Sequence, residues 1–285
     1  MKIAIASGKG GTGKTTLATN LACSIARMGK DVQYLDCDVE EPNGHIFLKP
    51  DIKETLEVTI SVPEVDTYKC DGCGKCSQLC QYSAIICLKE TVLTFDQLCH
   101  SCGGCMLVCP TGAITGKQKP IGFVDLGNAN SVKFAQGRLN IGDIHTPSLI
   151  RHVKQNAIEQ GIIIIDAPPG TSCSVVEAVK GADFVLLVTE PTPFGLNDLK
   201  LAVGMVKELE IPFAVVINRN DLGDDRVKQY CDDENIEVIL EIPDDRRIAE
   251  AYSVGSMIWD VLPEYRNKFL GLYESVSERK AGQRV

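Results

Sequence analysis

Gly8-Lys9-Gly10-Gly11-Thr12-Gly13-Lys14-Thr15-Thr16 is the stretch on which the reading of this chain turns. It completes the pattern G-x-x-x-x-G-K-T. Residues 3–6 before it are a short apolar run, and residues 15–27 after it have helical periodicity, closed by Gly29. A glycine-rich loop between a strand and a helix turns backbone N–H groups toward phosphate oxygens, and the helix dipole adds to the attraction. Gly10, Gly11, Thr12 and Gly13 form that cradle. Lys14 reaches the terminal phosphates, Thr15 takes Mg2+, and Thr16 follows inside the helix. The full pattern in the required context sets this loop apart from a chance turn.

Working outward, residues 32–35 form a second apolar run that closes on Asp36 and Asp38. Residues 162–165, 184–188, 213–217 and 238–240 are further apolar runs without alternation. Such runs predict strands buried on both faces, as in a parallel sheet covered by helices. Helical stretches separate them at about 147–160, 196–209, 224–234 and 244–252. The fold class is therefore α/β, with a doubly wound, mostly parallel sheet.

Between residues 63 and 116 the texture changes to cysteine, glycine and short polar links. Two runs repeat there: Cys70-x2-Cys73-x2-Cys76-x3-Cys80 and Cys99-x2-Cys102-x2-Cys105-x3-Cys109-Pro110. Ala84-Ile85-Ile86 follows the first and Gly112-Ala113-Ile114 the second. Thiolates ligate iron, and this spacing is that of bacterial two-cluster ferredoxins, in which the fourth cysteine of each run serves the other cluster. The predicted ligand sets for two 4Fe–4S clusters are Cys70, Cys73, Cys76 and Cys109, and Cys99, Cys102, Cys105 and Cys80. Zinc in two four-thiolate sites is the alternative, but zinc sites use paired C-x2-C units separated by a longer loop. The expected domains are residues 1–62 and 117–285, forming one discontinuous α/β domain, and residues 63–116 as an inserted ferredoxin domain. Cys80 lacks the proline that follows Cys109, so the two halves are not chemically identical.

Thirteen cysteines in a chain of 285 residues suit metal ligation in a reducing cytoplasm better than disulfides. A net charge of −9 argues against nucleic acid as a partner. No apolar run is long enough to span a bilayer, and the first apolar residues run straight into the phosphate loop, unlike a signal peptide. The expected location is cytoplasmic. Leu262, Tyr265, Phe269, Leu272 and Val276 form an apolar stripe near the end of the chain, expected to pack on the protein body. Arg279, Lys280 and Arg284 follow it without a basic and aromatic surface, so no membrane partner is expected.

Lys9, early in the phosphate loop, gives Lys-Gly-Gly-x-Gly-Lys-Thr-Thr. This resembles the deviant phosphate loop of the MinD and Mrp superfamily of ATPases. The likeness extends to residues 35–43 and to Gly137-Arg138-Leu139-Asn140-Ile141-Gly142. It also takes in Asp166-Ala167-Pro168-Pro169-Gly170-Thr171, residues 189–196 and residues 216–219. With the cysteine runs, the whole chain looks like superfamily members containing an inserted ferredoxin domain. The resemblance implies ATP as nucleotide, with Lys9 reaching across a face-to-face dimer to the partner's nucleotide. It implies that Asp38 orients the attacking water, Asp36 lies near the Mg2+ shell, and Asp166 holds Mg2+. It places Asn218 at adenine, with Pro243 and Asp245 lining the base pocket. The dimer pairs identical chains or two related ones, and a redox or metallocofactor-assembly partner stands beyond it. The leading expectation is ATP-gated electron transfer. A cluster carrier of Mrp type is the alternative, but such carriers use a C-terminal Cys-x-x-Cys, and none occurs after Cys109. A redox-sensing regulatory or partitioning ATPase is the third reading.

Overall fold

The structure is a computed structural model and describes residues 1–89 and 91–282; Arg284 lies outside them. The strands are β1 (Lys2–Ala6), β2 (Val32–Asp36), β3 (Asp51–Val65), β4 (Ile85–Leu88), β5 (Thr91–Thr94), β6 (Ile114–Ala129), β7 (Val132–Leu139), β8 (Ile162–Asp166), β9 (Phe184–Thr189), β10 (Phe213–Asn218) and β11 (Val238–Ile242). The helices are α1 (Lys14–Arg27), α2 (Gly44–Leu48), α3 (Lys75–Leu79), α4 (Gly104–Leu107), α5 (Thr146–Gln155), α6 (Cys173–Val179), α7 (Pro193–Glu208), α8 (Arg226–Asp233), α9 (Arg246–Ser253), α10 (Ile258–Val261) and α11 (Arg266–Gly282).

Each apolar run expected to be a strand is one. The large sheet has the order β11-β10-β9-β1-β8-β2-β7-β6-β3, and its pairs from β11 through β7 are parallel. β2, β8 and β9 are buried throughout, as strands covered on both faces must be. β11 departs from that expectation. It is half-buried along most of its length, because it is an edge strand with one neighbour. The helices also start where caps dictate. α7 begins at Pro193 behind Thr192, whose Oγ1 accepts from the Gly195 N–H at 3.0 Å. α9 begins after Asp245, which accepts from the Arg247 N–H at 2.9 Å.

β3, β6 and β7 have no counterpart among the sequence expectations. β3 opens with five exposed residues, Asp51 to Thr55, and carries charges that mask a strand signal. β6 and β7 are joined by residues 130–131, where Asn130 has φ 52, the positive value a two-residue hairpin link needs.

The chain forms two compact units. The first comprises Met1–Thr55, Val124–Arg138 and the chain from Ile150 onward; the second comprises Leu56–Phe123 and Leu139–Leu149. The expected boundaries at 62 and 117 fall inside β3 and β6. In the first unit, Leu17, Leu21 and Ile25 of α1 share a core with Phe269, Leu272 and Val276 of α11. The apolar stripe near the end of the chain is thus buried. In the second, Ile85 and Ile114, the matching isoleucines of the two sequence repeats, are buried with Cys76. Gly104 at the start of α4 is required by close packing, since a Cβ there would lie 2.9 Å from Leu79 of α3.

Candidate functional site

The parallel sheet brings its chemistry to one edge. β1 leads into the phosphate loop, β2 ends at Asp36, β8 ends at Asp166, and Asn218 ends β10. Ligands bind at the carboxyl ends of strands in such sheets. A cleft of about 380 Å³ opens there, lined by Gly10, Lys14, Thr15 and Asp38 on one side and by Asn218, Pro243 and Asp245 on the other. Ile242, Ile248, Ile258 and Phe269 supply an apolar wall. Gly13 has φ 93, and a Cβ on it would lie 2.6 Å from the Asn218 amide, so both conformation and space demand glycine.

Lys14 is buried, and that burial lowers its pKa against the opposing pull of Asp166 and Asp38. Asp36 and Asp166 are register partners on adjacent strands, and both are buried. Burial raises both carboxyls, and the Asp166 charge pushes Asp36 up further. Asp36 accepts from the Gly44 and Asp38 N–H groups at 2.9 and 3.2 Å. Asp166 Oδ2 accepts from the Tyr34 hydroxyl at 2.8 Å. Asp166 Oδ1 is buried without a hydrogen-bond partner among the described residues, although the Thr15 hydroxyl is close enough to pull its pKa down. A buried oxygen left open beside Thr15 and Lys14 suits a magnesium shell, in which the cation or its water satisfies it. Asp38 is half-buried, and burial followed by the Asp166 charge pushes its carboxyl up to about 7. Thr12 Oγ1 is likewise buried without a partner among the described residues.

Three expected site residues are engaged within the chain. The Lys9 ammonium sits 3.0 Å from Glu190, which also pairs with Arg219 at 2.9 Å. Asn218 donates its amide to the Thr12 carbonyl at 2.9 Å, and its Oδ1 accepts from the Arg219 N–H at 3.1 Å. Asn218 therefore ties β10 to the phosphate loop. Asp245 is occupied by Arg247 at 2.6 Å and the Tyr265 hydroxyl at 3.1 Å, and these bonds draw its carboxyl down to about 2. It caps α9 at the rim of the cleft.

The eight cysteines of the two runs all lie in the second unit. Cys80, Cys105 and Cys109 pack against the small core that buries Cys76, so both runs contribute to one centre. Burial raises the Cys76 thiol, and the nearby Cys87 and Cys70 add to that rise. The Cys99 thiol is also raised by burial, and the nearby Cys102 and Cys80 add to that rise. Cys80 therefore lies near Cys99 of the second run as well as against the Cys76 core of the first. Cys105 is raised by burial beside Cys99 and Cys102. The Ser101 N–H points at Cys99 Sγ over 3.4 Å. Gly72, Gly74 and Gly103 have φ of 68, 72 and 72, which turns the backbone sharply between the cysteines. Among the described residues, no three ligating side chains converge tightly enough for a single ion. A four-iron cube takes its thiolates at its corners rather than around one point, and cysteines of both runs spread about the Cys76 core fit such a group.

A model of the CobQ/CobB/MinD/ParA nucleotide binding domain matches residues 3–258. The chain belongs to this family. It is a nucleotide-binding ATPase of the MinD/ParA type. The Methanocaldococcus jannaschii protein MJ0579 is 33% identical over 258 residues, covering 90% of each chain. An iron-sulfur cluster carrier protein of Pyrococcus horikoshii is 29% identical over 273 residues, covering 89% of this chain and 77% of its own. The fold matches that of the septum site-determining protein MinD of Pyrococcus horikoshii in complex with Mg-ADP, with a TM-score of 0.61 at 20% identity over 100% and 98% of the two chains. No helix among the described residues is long and apolar enough to cross a membrane.

Within this family ATPase, several residues that shape the sites escaped the motif reading. Tyr34 carries no motif of its own, and Glu190 lies in the family-like stretch 189–196 without a role assigned there; the register of β2 with β8 and the Lys9 contact reveal them. His145, Asp143 and Lys119 lie outside the cysteine runs yet belong to the same unit. His145 is 4% exposed, and its Nε2 abuts the Cys99 carbonyl while its Nδ1 abuts Asp143. Lys119 pairs with Asp143 at 2.7 Å.

Proposed function

We propose that this ATPase couples closure on ATP to low-potential electron transfer through two 4Fe–4S clusters held by the cysteine unit, regarded as an inserted ferredoxin domain. The observation that carries the reading is the packing of both cysteine runs in one unit, with Cys80, Cys105 and Cys109 against the Cys76 core, in a chain that also presents a complete phosphate loop. When bound, the clusters supply one-electron transfer at negative potential. Cys70, Cys73, Cys76 and Cys109 hold one, and Cys80, Cys99, Cys102 and Cys105 the other.

On the nucleotide side, Lys14 and the backbone of Gly10 to Thr16 hold the phosphates. Thr15, Asp36 and Asp166 form the magnesium shell, and Asp38 orients the attacking water. Pro243 and Asp245 border the base, and Asn218 holds the loop that faces it. Lys9 leaves Glu190 and completes the site of a second chain, identical or related, across a face-to-face dimer. Hydrolysis to ADP and phosphate reopens the pair. The protein works in the cytoplasm with a redox or metallocofactor-assembly partner.

Anaerobic purification tests this directly, with about eight irons per chain expected. Zinc at two equivalents with little iron rejects it. A second reading, cluster delivery to an apo-protein, is favoured by the relatives named iron-sulfur cluster carriers. Against it stands the ligand assignment proposed above, in which release of either cluster breaks ligands in both runs.

A further inference from the structure

The segment after β7 belongs to the cysteine unit, although its sequence matches the ATPase family rather than the cysteine runs. β7 pairs with β2 in register, with Gln136 opposite Asp36, and β2 pairs Asp36 with Asp166. Three residues beyond Gln136, β7 ends at Leu139 and the chain enters the cysteine unit. Asn140 is fixed there, its N–H donating to the Ile121 carbonyl at 2.9 Å. His145 follows, 4% exposed, with its Nε2 against the Cys99 carbonyl.

The chemistry of that contact is constrained. A carbonyl has no proton to give, so Nε2 of His145 must be the donor to Cys99. Asp143 sits against Nδ1 and also accepts from the His145 backbone N–H at 3.0 Å. Lys119 of β6 holds Asp143 from the far side at 2.7 Å, and Asp143 is itself 6% exposed at its side chain. The imidazole is therefore clamped on two sides, with one N–H aimed at the peptide of the first cysteine in the second run. That peptide is already shaped by Ser101, whose N–H points at Cys99 Sγ and whose hydroxyl donates to the Ser61 carbonyl at 2.7 Å. Ser101 has φ 54, so this turn is held in a left-handed conformation that a shift of the Cys99 carbonyl disturbs.

We propose that His145 is a positioning residue for the second cysteine run, through which the strand ends carrying Asp36 and Asp166 set the potential of the cluster held there. The inference rests on the cluster reading above. A hydrogen-bond donor that withdraws electron density beside a cluster favours its reduced, more negative state. Any displacement of the end of β2 on nucleotide binding passes to β7, its hydrogen-bonded neighbour, and β7 is continuous with the segment ending at His145. The two clusters are thereby made unequal, and only the second responds strongly to nucleotide.

The test is an EPR-monitored redox titration of the anaerobically purified full chain, with iron content measured on each sample. In His145→Phe, a ring fills the slot without a donor. The second cluster's reduced-to-oxidised ratio at a given potential is expected to fall at least tenfold, about 59 mV for a one-electron couple. The first cluster stays unchanged, and the difference between ADP and a non-hydrolysable ATP analogue disappears from the second. His145→Gln, which places an amide N–H near the Nε2 position, restores most of the wild-type potential. Full iron in His145→Phe with both potentials unchanged overturns the inference and leaves the cluster reading standing. Absence of iron from the wild type overturns the cluster reading itself. If His145→Phe loses the second cluster, Asp143→Asn carries the test. It keeps the ring but removes the carboxylate that orients it, and an unaltered second potential there overturns the inference.

Discussion

At the scale of single residues, the cleft is organised around carboxylates that resist ionisation. Asp38 has its carboxyl pushed up to about 7 by burial and by Asp166. The water-orienting role proposed for it requires the ionised form, so kcat/KM for ATP is expected to rise with pH through about 7 and level off above. A profile flat from pH 6 to 8 removes Asp38 from that role. The same shift has a stability consequence. The folded chain holds this proton more tightly than the unfolded one, so the contribution is full below the unfolded pKa and is lost as pH rises through about 7. In the nucleotide-free protein, Asp38→Asn removes that loss. Its gain in unfolding free energy over wild type should widen between pH 4 and pH 7, by up to about 3 kcal/mol. Chemical denaturation at the two pH values measures it. Lys9 gives a second prediction. Because Glu190 holds it 3.0 Å away within its own chain, Lys9 must be released before it serves a partner. Lys9→Ala should bind ATP and lose hydrolysis, Lys14→Ala should lose both, and Glu190→Gln should reach half-maximal turnover at a lower protein concentration. Unchanged turnover in Lys9→Ala makes it a loop residue and nothing more.

Among elements, legibility followed burial. β1, β2, β8, β9 and β10 are apolar on both faces because helices cover both, and runs such as 162–165 show it in the sequence. β3 was illegible because its first half is exposed and charged, and β6 and β7 because their strand pattern is split by charges and by Gly127 and Gly137. The phosphate loop and cysteine runs were legible because backbone geometry and ligand spacing are local. The Lys9–Glu190 and His145–Cys99 contacts join residues far apart in sequence, so spacing could not announce them. α11 offers the prediction at this scale. Leu272 is 2% exposed in the core shared with α1, while Phe269 is 1% exposed and also lines the cleft. Leu272→Ala should cost roughly 2–4 kcal/mol of stability and leave nucleotide affinity intact below its melting point. Phe269→Ala should cost a similar amount and also weaken nucleotide binding, as isothermal titration can show. Equal affinities in both variants contradict the placement of α11 beneath the base.

For the whole molecule, the account makes one chain serve two chemistries. If closure on ATP governs the clusters, linkage requires ATP-bound and ADP-bound protein to differ in cluster potential, because the two equilibria share one free energy of coupling. Couplings between sites are typically about 1–3 kcal/mol, and each tenfold change in a one-electron equilibrium is about 59 mV. The most direct measurement is therefore a redox titration of the iron-loaded protein, saturated with a non-hydrolysable ATP analogue in one arm and ADP in the other. The account predicts a midpoint shift of about 40–130 mV between the arms, with eight irons retained throughout. Identical midpoints, together with ATP-dependent loss of intact clusters to an apo-acceptor, contradict it and make the protein a carrier.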